Sequence, residues 1–362
     1  MRSPPRLVSL ATAVPPHRLD QSNVVARVQQ LFGRSPDFER LIQVYANSGI
    51  DCRYSVMPFE WFDAAHSWPD RNAAYLAGAL DLIEIAVRRA LDRADLSPEE
   101  VGAIVTVSTT GIATPSLDAQ LMERLAFPRH IERLPIFGLG CAGGALGLAR
   151  AAALAASMPD KPVLLIVVEL CTLQFRRDDL TRSNIVATAL FGDGAAAAVL
   201  RADPRADSYA DSYASGPAIT AWGEHTWPRS LDIMGWDVAE DGLKAIFSRD
   251  IPRLVTSELG PVLGDFLARD GLSLHDIDRF VCHPGGPKVI DAYETILGAG
   301  FRGAVAARRS LAQFGNMSAA SVLFVLEDVL AETRDSGEKL GRVLLTALGP
   351  GFSAGFVVLD GP

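Results

Sequence analysis

Residues 136–154 read IFGLGCAGGALGLARAAAL, and residues 313–330 read QFGNMSAASVLFVLEDVL. Both run aromatic, glycine, a short polar or small-residue turn, then a long apolar stretch suited to a buried helix. Two further echoes follow the same order. SPEEVGAIVTVSTTG (97–111) parallels SLHDIDRFVCHPGG (273–286): a helix-start serine, acidic residues, then a strand. FGDGAAAAVL (191–200) parallels GPGFSAGFVVL (349–359). Three ordered echoes imply an internal duplication, two similar α/β halves packed as one body.

The segments between these landmarks carry the alternation such halves need. VGAIVTVST (101–109) and PVLLIVVEL (162–170) read as buried strands, and AYLAGALDLIEIAVRRALDRA (74–94) has helical apolar spacing. AGGALGLARAAALAAS (142–157) is a helix with so many small residues that it must pack closely against a partner. Alternation of this kind predicts layered α/β architecture around central sheets. At 362 residues the chain exceeds a single small core. The polar, nearly repeating RADPRADSYADSYASGP (201–217) marks the seam, giving an N-terminal half at 1–205 and a C-terminal half at 206–362.

A hydrophobic fraction of 49% is that of an ordinary globular protein, and a formal charge of −9 speaks against a nucleic-acid partner. Cys52, Cys141, Cys171 and Cys282 lie far apart without metal-site spacing, as reduced cytoplasmic thiols do. No metal is expected. The proline-broken N-terminus is not a secretory signal, and no uncharged apolar stretch is long enough to span a bilayer. A cytoplasmic protein is expected.

The duplication places chemistry at the seam. Cys141 stands at a strand-to-helix junction, Asn316 occupies the equivalent junction of the second half, and His283 ends the strand RFVCH before Pro284-Gly285-Gly286. A thiol at a helix N-terminus gains from the dipole and free N–H groups, which lower its pKa. A neighbouring histidine can hold an imidazolium–thiolate pair and donate to a developing oxyanion, and the amide of Asn316 adds a neutral donor. The flanking glycines leave room for substrate. The plainer reading, in which a buried cysteine is an inert small hydrophobe, suits Cys52, Cys171 and Cys282.

Cys141 in GLGCAGG, His283 in HPGG, Asn316 in GNMSAASVLFVLE and the loop GPGFSAGF (349–356) together resemble type III polyketide synthases, the chalcone-synthase-like branch of the thiolase superfamily, in its bacterial form. The resemblance runs from about residue 5 to the C-terminus. It implies an internally duplicated thiolase fold with five αβαβα layers. It implies that an acyl-CoA starter loads onto Cys141, that malonyl-CoA decarboxylates with His283 and Asn316 holding the enolate oxygen, and that repeated condensation precedes cyclisation. It further implies a homodimer using free CoA thioesters, with no cofactor. Phe191 matches the family's gating phenylalanine, and Thr109, Cys171, Gln174, Trp236, Ala245, Gly349, Pro350 and Gly351 match cavity positions. Ala245 replaces the second plant gatekeeper and Trp236 departs from the chalcone-forming pattern, which implies an aliphatic or other acyl starter and a pyrone or resorcinol product. Thr114 falls at the dimer-facing position. For the CoA phosphates the resemblance offers Arg53, Lys288 and Arg308, with Arg309 as a further cation. A single-round enzyme of the ketoacyl synthase III kind shares the Cys, His and Asn and is the alternative. A Cys/His thioesterase or amidase suits the duplicated plan poorly.

Overall fold

The computed structural model describes residues 3–32, 38–202, 216–298 and 303–361. Thirteen strands are found among them: β1 (Arg6–Ala13), β2 (His17–Asp20), β3 (Cys52–Ser55), β4 (Ala103–Val107), β5 (Glu132–Ile136), β6 (Val163–Leu170), β7 (Asp193–Arg201), β8 (Ala218–Thr226), β9 (Met234–Ala239), β10 (Gly242–Phe247), β11 (Arg279–Cys282), β12 (Arg342–Gly349) and β13 (Ser353–Asp360). Nine of them form one sheet in the order β11-β12-β13-β8-β1-β7-β6-β4-β5.

That order contains the duplication. In the first half, β4 pairs β6 in parallel, β6 pairs β7 antiparallel, and β7 pairs β1 antiparallel. In the second half, β11 pairs β12 in parallel, β12 pairs β13 antiparallel, and β13 pairs β8 antiparallel. The strand starts match as well. The Ser97 N–H donates to the Glu100 carboxylate at 2.8 Å ahead of β4, and the Ser273 N–H donates to Asp276 at 2.8 Å ahead of β11. Among the described residues, the two half-sheets join where Arg6 pairs Ala218. The Leu7 N–H donates to the Pro217 carbonyl at 2.9 Å and the Ile219 N–H to that of Pro5 at 2.7 Å. The boundary expected at 205/206 lies outside the described residues.

Layering follows from which faces are apolar. The helices Gly143–Ser157 and Ser321–Ser336 lie between the half-sheets, and their Ala, Leu and Val side chains share one core with both, including Val105, Val167, Leu345 and Val357. The helix Trp68–Arg93, begun by a Ser67–Asp70 capping box, covers the outer face of the first half-sheet through Ile83 and Val87. Leu263, Phe266 and Leu267 of the helix Gly260–Ala268 cover the outer face of the second. Helix, sheet, helix pair, sheet, helix are the five layers of the thiolase fold. Strand β6 is buried at all eight positions, as a strand covered on both faces must be. Close approach of the central helices explains their glycines. A Cβ on Gly144 would stand 2.2 Å from the Ala319 carbonyl oxygen, and one on Gly143 would stand 3.1 Å from the Ala319 Cβ. The glycine room expected for substrate is used here for helix packing.

Candidate active site

Cys141 lies in the short turn Gly140–Ala142 that opens the first central helix, and the turn Ser318–Ala320 opens the second. Gly140 and Ser318 both have φ of +47°, so these turns superpose position by position. The residue equivalent to Cys141 is therefore Ala319. Asn316 stands three positions before it, so the two junctions correspond but the two residues do not. The loop Gly349–Gly351 closes over the first turn. A Cβ on Gly349 would sit 2.5 Å from the Leu139 carbonyl oxygen, and Pro350 occupies the space where a Cβ on Gly140 would go.

Cys141, His283 and Asn316 all line one cavity of about 620 Å³. The thiol is within hydrogen-bonding reach of the Ser318 and Asn316 side chains. The Asn316 amide is held at both ends: Nδ2 donates to the Gly285 carbonyl at 3.3 Å, and Oδ1 accepts from the Ser318 N–H at 2.8 Å. Its orientation is thereby fixed with the NH2 group toward the loop that follows His283. The His283 backbone N–H donates to the Thr346 carbonyl at 2.9 Å, while both ring nitrogens are buried without a protein partner. Unsatisfied buried polar atoms facing a cavity are suited to a ligand's polar atoms.

Burial sets the protonation of both groups. It pushes the Cys141 thiol up to about 12, against the smaller opposing effect of its hydrogen bonds, and brings His283 down to about 3. The cavity thus holds a neutral thiol and a neutral imidazole, not the thiolate–imidazolium pair expected from the helix terminus. The dipole is real, but complete burial outweighs it.

A second buried group completes the neighbourhood. Glu169, the one charged residue of β6, accepts from the Thr109 N–H and the Thr110 hydroxyl, each at 2.9 Å, and burial pushes it up to about 7. The Thr109 hydroxyl in turn accepts from the Gly140 N–H at 3.2 Å. Thr109 thus ties Glu169 to the turn that carries the thiol.

The family profile for the N-terminal domain of chalcone and stilbene synthases matches residues 2–204, and the profile for the C-terminal domain matches residues 223–361. The chain belongs to the chalcone and stilbene synthase family. It is a type III polyketide synthase. A Bacillus subtilis (strain 168) protein named for chalcone synthase is 40% identical over 357 residues, 96% of each chain. The 1,3,6,8-tetrahydroxynaphthalene synthase of Streptomyces peucetius subsp. caesius is 38% identical over 354 residues, 98% of this chain and 92% of that one. Among solved structures, the tetrahydroxynaphthalene synthase of Streptomyces coelicolor A3(2) superposes with a TM-score of 0.89 at 27% identity, covering 98% of this chain and 99% of that one.

In this polyketide synthase the remaining sequence-derived positions fall into three groups. Phe191 is buried and its ring packs against Trp236 and Phe247 at centroid separations of 6.0 and 5.7 Å. Its backbone bridges to that of Asn316. Trp236 and Ala245 are cross-strand partners on the β9–β10 hairpin and pack on the same cluster as Cys171. Gln174 is buried and locked, its Nε2 donating to the Thr110 carbonyl at 2.8 Å and its Oε1 accepting from the Leu243 N–H at 3.2 Å. Thr114 is exposed beside Pro115 and lines no part of the Cys141 cavity.

Two of the three expected phosphate cations are misplaced. Arg53 is buried, its guanidinium donating to the Thr188 and Phe191 carbonyls at 2.5 and 3.1 Å and to Gln21. Burying a long cation is costly unless its donors are met internally, and both terminal nitrogens of Arg53 are so held, Nε alone lacking a partner, instead of reaching the rim. Arg308 is paired with Asp291 and Glu294 at 2.7 Å and does not line the cavity, and Arg309 pairs with Asp328 and Glu332. Lys288 is at the rim as expected, exposed and lining the cavity, where the described residues add Arg182 and Arg249. Sequence reading missed these two arginines because each is an isolated basic residue with no motif. Glu169 did carry a signal, a lone carboxylate in an otherwise apolar strand. Among the described residues no cluster could hold a metal ion, and no helix is long and apolar enough to cross a membrane.

Proposed function

We propose that Cys141 is the acyl acceptor of this polyketide synthase, and that His283 and Asn316 hold the thioester oxygen of malonyl-CoA. The observation that carries this reading is the convergence of a thiol, a neutral imidazole with two unpartnered nitrogens, and an oriented carboxamide on one cavity. In loading, the Cys141 thiol gives its proton to His283, the sulfur bonds to the starter's carbonyl carbon, and CoA leaves as the thiol after taking that proton. In extension, malonyl-CoA loses CO2 and the electron pair moves onto the thioester oxygen as an enolate. A neutral imidazole N–H and the Asn316 NH2 are the donors suited to that charge in a dry site. The enolate carbon attacks the acyl carbonyl on Cys141, the C–S bond breaks, and the lengthened chain leaves on CoA to reload. Lys288, Arg182 and Arg249 would meet the CoA phosphates at the rim. No cofactor is needed for this chemistry.

An acyl-CoA starter leading to a pyrone or resorcinol is the reading supported by Trp236 and Ala245. Similarity to an α-pyrone synthesis polyketide synthase-like protein of Mycobacterium tuberculosis, 29% identical over 369 residues, agrees with it. The protein would act in the cytoplasm as a homodimer. The edge strand β5, with Leu134 and the following Phe137 exposed at 41% and 60%, is a surface available for a second copy. The test is mass spectrometry of products from purified protein, malonyl-CoA and a panel of acyl-CoAs. Products extended by more than one acetate unit and closed to a ring are expected. Release of once-extended linear chains from every starter would overturn the reading in favour of a single-round enzyme.

A further inference from the structure

The hairpin β9–β10 stands beside the reaction cavity but belongs to neither half-sheet. Among the described residues its two strands pair only with each other. A lone two-stranded hairpin has little stability of its own, so whatever holds it decides where its side chains stand. Those side chains matter. Phe247 lines the cavity of Cys141 and packs on the Phe191 ring, and Trp236 and Ala245 join the cluster that contains Phe191 and Ala187.

Opposite the hairpin, the segment 173–181 is a fixed platform. Arg71 Nη1 donates to the Leu173 and Phe175 carbonyls at 2.5 and 2.8 Å. The Asn184 amide donates to the Arg176 and Asp179 carbonyls at 2.7 and 2.6 Å, and the Thr181 N–H donates to the Asp179 carboxylate at 2.7 Å. Two charges reach from this platform to the hairpin. The Arg176 guanidinium pairs with Asp241, in the turn between the strands, and the Asp179 carboxylate lies 3.3 Å from Lys244 Nζ. Arg176 and Asp179 are only 16% and 12% exposed, so both pairs are partly shielded from screening by salt. An ion pair on a well-anchored sheet has little to hold in place. Here the pairs sit on an element with no other strand beside it, and Lys244 directly precedes Ala245.

We infer that the Arg176–Asp241 and Asp179–Lys244 pairs latch the hairpin to the platform, and that the closed latch limits how far the polyketide chain grows before it closes to a ring. All four are positioning residues, since none of them lines the Cys141 cavity. They act through Trp236, Ala245 and Phe247, whose distance from Phe191 follows the position of the hairpin. With the latch open the rings part, the space beside Phe191 widens, and further extensions precede cyclisation. The inference rests on the Cys141 cavity as the place of extension and adds what sets product length there.

The test is the ratio of longer to shorter products, read by mass spectrometry with malonyl-CoA and the acyl-CoA that the wild type extends best. It compares the wild type with Asp241→Asn, Lys244→Met and the conservative Asp241→Glu. These substitutions fall on the more exposed side of each pair, so none of them rearranges the core. Asp241→Asn and Lys244→Met should each raise the ratio about two- to fivefold, the reach of one partly exposed ion pair, with KM for malonyl-CoA unchanged. Asp241→Glu should keep the ratio of the wild type. A ratio unmoved in both neutral variants, or an equal loss of all products, would overturn the latch and leave Cys141 untouched. A ratio raised as much by Asp241→Glu as by Asp241→Asn would overturn it too, because charge would not be what holds the hairpin. Absence of an acyl adduct on Cys141 in the wild type, sought by intact mass and peptide mapping, would instead overturn the reading of the cavity, and the latch with it.

Discussion

Gly140 and Ser318 adopt the same left-handed φ, and each begins a single turn that leads into a central helix. These matching turns differ in what they carry. The first half presents a thiol one residue after the turn begins. The second presents alanine there and places its functional group earlier, as Asn316, pinned between Gly285 and Ser318. The first half can use glycine at the strained position without penalty, whereas the second holds a serine there, a conformation uncommon for a residue with a side chain. Duplication supplied two scaffold positions on one seam, and in the proposed mechanism one makes the bond to the acyl group while the other holds the oxygen.

That division of labour is most sharply broken by removing one member at a time. Cys141→Ala should abolish chain extension, by about a thousandfold or more, because among the described residues no second thiol lines the cavity to accept the acyl chain. It should retain malonyl-CoA decarboxylation within a few-fold. Asn316→Ala should lower decarboxylation itself by about 10²–10³-fold, the usual cost of one oxyanion donor. Release of labelled CO2 from malonyl-CoA, measured beside product formation, checks both. Equal loss of both activities in Cys141→Ala would show that the halves do not act separately.

The fold was legible because duplication is a pattern of order. The serine-capped strand starts, the two aromatic-glycine turns and the Gly-rich third strands could be paired without coordinates, and the sheet repeats that pairing. The residues of the candidate site were legible because Cys141, His283 and Asn316 sit at those same landmarks, and the structure brings the three to one cavity. The residue-level equivalence was not, since a one-residue drift between the aromatic-glycine pair and the helix start is visible only in backbone angles. Protonation was hidden for a related reason. A helix terminus can be read from sequence, but the completeness of burial that reverses its effect on Cys141 depends on the whole seam. Arg53 shows the same limit: a basic residue in a family segment looks like a rim cation until its donors are traced to carbonyls inside.

The two halves also differ in the charge they bury at matching strands. The last two residues of β12 are Leu348 and Gly349, whereas β6 carries Glu169 one residue from its end. Because burial raises this carboxyl from its ordinary range to about 7, the folded protein holds a proton that the unfolded chain releases near pH 4.5. Its contribution to stability is fully present below pH 4.5 and is lost as pH rises through 7. Asp193, pushed up to about 6 by burial, acts in the same direction. Glu169→Gln removes one of these two titrations. Urea unfolding at pH 5 and pH 8 should show a smaller drop in stability for the variant than for the wild type, by up to about 3 kcal/mol. Equal drops would mean that Glu169 is charged throughout.

Packing between the halves offers a smaller and cleaner contrast. Gly144 faces the Ala319 carbonyl across the seam, while Gly264, on an outer helix, has nothing within 4 Å of where its Cβ would go. Gly144→Ala should therefore cost about 1–3 kcal/mol through forced separation of the central helices. Gly264→Ala should be neutral or stabilising by up to about 1 kcal/mol, since it only restricts the unfolded chain. Denaturation midpoints of the two variants check this, and a Gly144→Ala protein as stable as the wild type would show that the helices do not meet so closely.

The smallest effect separates the rim from the interior. Lys288 is exposed on the cavity edge, so its contact with a CoA phosphate is screened by water and salt. Lys288→Ala should raise KM for malonyl-CoA about two- to fivefold with kcat unchanged, and the difference should shrink at high ionic strength. Arg308→Ala should leave KM alone, because that guanidinium is already occupied by Asp291 and Glu294. Arg53→Ala should instead lower stability, since it strips donors from the buried Thr188 and Phe191 carbonyls. A KM effect from Arg308→Ala matching that of Lys288→Ala would mean that the phosphates lie farther along the surface than the cavity rim.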